Sequence, residues 1–353
     1  MRGGNPLTFI ILGHDMKIPE MDNSVEASID AAHEARKEKP RPHMGVSGLG
    51  HNCERYLWLG FRWAVQEQFP GRILRLFRRG HNEEKTIVSD LRAMGVHIDN
   101  TTSNQMRVDF GFHVSGSMDG VISFGVPGAM NTKHILEAKT HALKSFNDVL
   151  KDGVQKSKPL HYVQMQVYML GAEVDRALYY AVCKNDDRIY TERIKLDKEF
   201  AQKYIDRGHR IVGLDRMPEP LSSDPSWYEC KFCSAHEFCH KTKTTKHVNC
   251  RTCAHSTPMQ DSTWRCELHK VDKIPVDYQH TGCDSHVLHP DLVPYQRKDG
   301  TDSSAIYVIE GADVINGEAG YRSSEILANP HYCAHPEDGF EELRETFKGK
   351  VAG

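Results

Sequence analysis

Ile135-Leu136-Glu137-Ala138-Lys139-Thr140 is the stretch from which the rest of the chain is read. Two apolar residues running into Glu-Ala-Lys predict a buried strand, and because side chains alternate along a strand, Glu137 and Lys139 point to one face. Upstream, Val114-Ser115-Gly116-Ser117-Met118-Asp119-Gly120-Val121-Ile122 sets an acidic residue beside glycine and between apolar segments, the pattern of a hairpin or strand end. If these strands are neighbours, Asp119, Glu137 and Lys139 converge. Two carboxylates held close repel unless a hard cation neutralises them, and oxygen ligands of this kind suit Mg2+ or Mn2+.

Helices are expected on both sides of this pair. Residues 76–95 place Phe77, Ile87, Val88, Leu91 and Met94 on one stripe, with Gly95 as the stop. At about 100° per residue, His81 and Glu84 fall in that stripe and face the core, where either an acidic metal pocket or a buried His–Glu hydrogen bond would satisfy them. A helix starting at Pro159 puts Gln164 and Tyr168, four apart, on one face. Strands over 178–183 and 189–194, joined through Asn185-Asp186-Asp187, and a helix over 200–212 follow. The order helix, strand, strand, helix, strand, strand, helix gives an α/β core with a mixed central sheet flanked by helices.

Asp119 followed by Glu137-Ala138-Lys139 resembles the motif of the PD-(D/E)XK nucleases, which have a restriction-endonuclease-like core. Gly80-His81 with Glu84 is similar to the first-helix element of that family, and Gln164 with Tyr168 resembles the Q-x-x-x-Y motif of its RecB-like branch. The resemblance covers about residues 43–245. It implies a DNA exonuclease related to lambda exonuclease, of the kind phages carry beside a single-strand annealing protein and use to process DNA ends. On that resemblance Asp119, Glu137, His81 and the carbonyl of Ala138 would hold Mg2+, and Lys139 would orient or help deprotonate the attacking water. Gln164 and Tyr168 would position the strand and the lysine, and Glu84 would support the first-helix end. An endonuclease, a CRISPR-adaptation-like trimming enzyme and a DNA-binding adaptor with a vestigial site stay open beside it.

Ten cysteines, seven of them between Cys230 and Cys283, sit in a long chain without an export signal, which favours metal over disulfides. Cys230, Cys233 and Cys239 give C-x2-C-x5-C, three ligands in need of a fourth. Cys53 is the natural candidate, with zinc completed by His236 or His240 as the rival. One early cysteine plus this late triplet resembles the [4Fe-4S] signature of AddB-type helicase-nucleases and CRISPR-adaptation nucleases, in which the cluster pins the two ends of the domain. Cys250, Cys253, Cys266 and Cys283 read as a zinc-ribbon-like module, His269 and His286 being competing ligands. Cys183 and Cys333 read as ordinary thiols.

A net charge of −3 gives no global attraction to nucleic acid, so contacts with DNA fall to local patches such as Arg72, Arg75, Arg78 and Arg79, or Lys144, Lys151, Lys156 and Lys158. Mean hydropathy of −0.56 and the lack of a long apolar run predict a soluble, cytoplasmic protein, the apolar patch at 7–12 being too short for a signal peptide. Ser47 is expected to cap a helix over 48–63, and Val25, Ile29 and Ala32 to mark another. The chain divides into an extension (1–42), a nuclease-like domain (43–245), a ribbon (246–290) and a tail (291–353) with a short charged helix over 339–348.

Overall fold

The computed structural model describes residues 24–36, 39–101, 104–339, 342, 346 and 347. The apolar patch at 7–12 and most of the helix expected over 339–348 lie outside these.

Helix α1 (Ser24–Glu34) buries none of its residues. It lies against the helix that starts at Gly71 through ion pairs, Arg75 meeting Glu26 at 3.2 Å and Asp30 at 3.1 Å. Strand β1 (Met44–Gly45) leads into a short 3-10 turn at Val46–Gly48, and α2 (Glu54–Phe61) begins only after it. Ser47 therefore caps no long helix. Arg207 donates to the carbonyls of Leu49 and His51, which holds this Gly-rich loop out of helical geometry. The cap of α2 is Cys53, whose sulfur accepts the Tyr56 N–H at 3.4 Å.

Helix α3 (Gly71–Ala93) starts five residues earlier than the apolar stripe suggested, and buries only Gly71, Ile87, Val88 and Leu91. Phe77 and Met94 are exposed. Strands β2 (His97–Asp99), β3 (Arg107–Asp109), β4 (Val114–Ser117), β5 (Gly120–Phe124) and β6 (His134–His141) come next. They are followed by α4 (Leu143–Ser157), which carries Lys144, Lys151 and Lys156 and which sequence periodicity did not reveal, then α5 (Pro159–Gly171), β7 (Arg176–Cys183), β8 (Ile189–Lys195) and α6 (Lys198–Val212). The central sheet has the order β2-β5-β6-β7-β8 and is mixed: β6 and β7 run parallel, the other pairs antiparallel. A smaller sheet, β1-β4-β3, stands beside it.

The alternation along β6 splits the core in two. Leu136 packs with Ile87, Val88 and Leu91 of α3, whereas Ile135 packs with Val163, Val167 and Tyr168 of α5. Glu137, in phase with Ile135, therefore faces the α5 side.

Beyond α7 (Tyr228–Lys231), the cysteine-rich segment forms a hairpin of β9 (Ser256–Pro258) and β10 (Trp264–Cys266), then α8 (Val276–Gln279). It is built into the main core, which includes fully buried Trp264. Arg251 is 1% exposed, stacks over Trp63 at 3.8 Å, and donates to the carbonyls of Phe61 and Pro42 at 3.0 and 2.9 Å.

Residues 291–335 of the expected tail are folded. Strands β11 (Gln296–Gly300), β12 (Ser304–Ile309) and β13 (Ala312–Gly317) form an antiparallel sheet, and α9 (Ser323–Ala328) and α10 (Pro330–Ala334) close a third apolar cluster around Tyr307, Ile309, Val314 and Ile326. The alternation in β12 was masked by the Gly- and Ser-rich turns around it. Cys183 and Cys333 are buried. Among the described residues no helix is long and apolar enough to cross a membrane.

Candidate active site and cysteine groups

The antiparallel pairing of Gly120 with Leu136 brings the end of β5 beside the middle of β6, so Asp119 lies next to Glu137. Asp119 lies in the two-residue link between β4 and β5, which joins the small sheet to the large one. Its Oδ2 accepts the Ala138 N–H at 2.9 Å and lies 3.8 Å from Lys139 Nζ. Lys139 Nζ also pairs with Glu137 Oε1, and Gln164 Nε2 donates to Glu137 Oε2 at 3.2 Å. Tyr168, one helical turn beyond Gln164, is buried with its hydroxyl against Gly116: a Cβ there would come within 2.7 Å of that oxygen.

Burial pushes Glu137 up to about 7, against the pull of Lys139 and with the help of Asp119. Glu84 is raised too, by burial first and then by the charge of Asp119, while Gln105 donates to it at 3.3 Å. Burial opposes the charge of Lys139, but Glu137 and Asp119 outweigh it and hold the ammonium above its ordinary value. Three carboxylates thus share one region with a single lysine. This donor set fits a hard divalent cation, which would offset both the burial and the repulsion that raise Glu137 and Glu84.

His81 does not face inward as its helical phase suggested; it is exposed. The reason is the part of α3 that packs. That helix meets the sheet through Ile87, Val88 and Leu91, so Glu84, one turn before them, lies within the field of Asp119 and Glu137, while His81, a further turn back, is left exposed. The arginines at 72, 75, 78 and 79 line a groove on the same half of α3, where Arg75 is engaged by the acidic residues of α1.

A buried group beside the site was not recognised in the sequence. Tyr179, paired with Glu137 across β6 and β7, has its hydroxyl 2.7 Å from His141 Nε2 and 3.0 Å from His161 Nδ1. Burial lowers His141 to about 4 and His161 to about 3, with Lys139 adding to both. Two signals could have found it: His141 continues the alternation Glu137, Lys139, and His161 lies one turn before Gln164.

Cys53, Cys230, Cys233 and Cys239 line one pocket with His51, Tyr56, His236 and His240. Asn52 and Glu229 hydrogen-bond at 3.0 Å across its mouth, joining segments 177 positions apart. Burial pushes the Cys233 thiol up to about 11, with Cys239, Cys53 and Cys230 contributing, and Arg55 donates a hydrogen bond to Cys239. Four cysteines gathered around one pocket fit a shared metal centre, because ligation stabilises the thiolates. His236 donates to the Cys230 carbonyl through Nδ1.

In the second group, burial raises Cys250 to about 11 and Cys253 to about 12, with Cys283 adding to both. His269 Nε2 lies 3.8 Å from Cys283 Sγ. His286 is engaged elsewhere: one ring nitrogen meets Ser323 Oγ at 2.7 Å and the other the Asn249 carbonyl at 3.1 Å. Among the described residues, the group of three His, Cys, Asp or Glu donor atoms all within 4.8 Å of one another is at neither cysteine set, nor at the carboxylates, but at Glu310, His331 and His335.

No protein-family model matches the sequence, and no curated protein matches it. Solved structures give distant likenesses. One is SSO0001, with a TM-score of 0.38 and 14% identity over 61% of this chain and 96% of that one. Another is the alkaline exonuclease LHK-Exo from Laribacter hongkongensis, with a TM-score of 0.34 and 15% identity over 53% of this chain and 90% of that one. A phage-related exonuclease from Haemophilus somnus gives a TM-score of 0.28 and 19% identity over 38% of this chain and 70% of that one.

Proposed function

We propose that this chain is a divalent-metal-dependent deoxyribonuclease of exonuclease type, acting on DNA ends. The observation that carries the proposal is the convergence of Asp119, Glu137 and Lys139 on one strand face, with Gln164 donating to Glu137. Asp119, Glu137 and the carbonyl of Ala138 would hold Mg2+ or Mn2+, with Glu84 nearer than His81 as the helical contribution. Bound there, the cation would supply Lewis-acid charge to the scissile phosphate. Lys139, kept protonated by its two carboxylates, offsets charge building on the phosphate and orients the attacking water. Gln164 fixes the Glu137 carboxylate, and Tyr168, one turn further on, lies within its field with the hydroxyl against Gly116.

In this reading Cys53, Cys230, Cys233 and Cys239 carry a [4Fe-4S] cluster as a staple, and Cys250, Cys253, Cys266 and Cys283 carry zinc, with His269 available in place of one sulfur. The test uses end-labelled linear DNA against closed circles with Mg2+ or Mn2+. Linear DNA should be degraded, circles spared, and EDTA should stop the reaction. Equal attack on circles would make the enzyme an endonuclease. A folded, metal-replete sample inert on every linear substrate would leave a DNA-binding adaptor.

A further inference from the structure

We infer that Glu310, His331 and His335 form a binding site for a borderline divalent transition ion, of which Zn2+ is the best match, in the C-terminal sheet. His331 Nδ1 lies 2.6 Å and His335 Nε2 3.6 Å from the same oxygen, Glu310 Oε2. Ligands at about 2.0–2.1 Å on a tetrahedral ion stand roughly 3.3 Å apart, a spacing that these two distances bracket. Small adjustments of exposed side chains would admit the ion.

The supporting backbone is already fixed. Glu310 and Gly311 are the two-residue turn between paired Ile309 and Ala312, both at positive φ (49° and 88°), the mirror-image turn that suits a twisted hairpin. His331 lies in α10 and His335 is the residue that caps its C-terminus, with the His335 N–H donating to the His331 carbonyl at 3.0 Å, so both rings reach the same oxygen of Glu310. Between them Cys333 and Ala334 are buried, which ties that helix to the third apolar cluster. Two imidazoles and one carboxylate form a donor set for zinc, nickel or copper, and a poor one for Mg2+, which prefers all-oxygen shells. The bound ion would clasp the hairpin tip to α10 across 21 positions, leaving a coordination position for water.

The test is calorimetric titration of Zn2+ into the full chain with its cysteine groups already metal-loaded, beside His331→Ala, His335→Ala and Glu310→Gln. Wild type should take up one zinc more than either histidine variant, or bind it roughly 100-fold more tightly, at least the scale of losing an outer-shell partner. Glu310→Gln should weaken it in the same direction. Amide exchange in α10 should slow on zinc addition in wild type alone, and Mg2+ should produce neither effect. Equal zinc uptake by all four proteins, or exchange in α10 unmoved by zinc, would overturn the site.

Discussion

Lys139 answers to two carboxylates, and its role follows from that position. Lys139→Ala should keep DNA binding and metal content yet lose roughly 100-fold or more in rate, the scale of one preorganised electrostatic group. A variant running at wild-type speed would remove Lys139 from the chemistry. Glu137 gives a pH signature. With its folded value raised to about 7 from the 4.5 of an unburied glutamate, the metal-free fold binds a proton that the unfolded chain has lost, and this contribution to stability fades as pH rises through 7. Mg2+ requires the carboxylate, so the rise in melting temperature on adding Mg2+ should be larger at pH 8 than at pH 6. An equal rise at both would show that Glu137 is not a ligand. The pairs 137 with 139 and 164 with 168 were legible because strand and helix periods fix which side chains share a face, whereas Asp119 joins them only through the pairing of β5 with β6. His81 was misread because a helix wheel gives a direction without telling where along the helix packing starts, and α3 meets the sheet only from Ile87 on, after His81.

Among the elements, β4 and α5 meet at a single tight point. A methyl group on Gly116 would come within 2.7 Å of the Tyr168 hydroxyl and within 3.0 Å of Val46 Cβ, so something must shift. Gly116→Ala should therefore push Tyr168 from its place near Glu137 and cost on the order of 100-fold in rate with the fold intact, as small displacements near reacting groups do. Near-UV circular dichroism would check the tyrosine's environment beside the rate, and an unchanged rate would mean Tyr168 only fills space. Strands β5 to β8 and helices α5 and α6 could be read from the sequence because each carries a clean period and a turn or proline at its edge. Helix α4 was missed because its lysines obscure the buried Phe146, Val149 and Val154. Sheet β11 to β13 was missed because polar turns interrupt short strands.

For the whole molecule, the informative contacts join positions far apart in sequence. Cys53→Ala should abolish any brown colour of anaerobically purified protein and destabilise it by a few kcal/mol (about the scale of opening a long covalent loop). Cys53→Ser restores an oxygen to cap α2, so it should recover part of the stability but none of the colour, which separates the cap from the cluster. Cys250→Ala should leave the colour. Colourless protein holding zinc alone, unaffected by Cys53→Ala, would reject the iron-sulfur reading. Arg251 has a consequence for how the chain is made. Its guanidinium fills a pocket whose carbonyls come from Phe61 and Pro42, 190 and 209 positions earlier. At ribosomal speeds of about 5–20 residues per second, the segment around Phe61 waits roughly 10–40 s for the side chain that completes it. Throughout that interval Trp58, Phe61 and Trp63 lack their final cover, which comes from Leu214, Arg251 and His289.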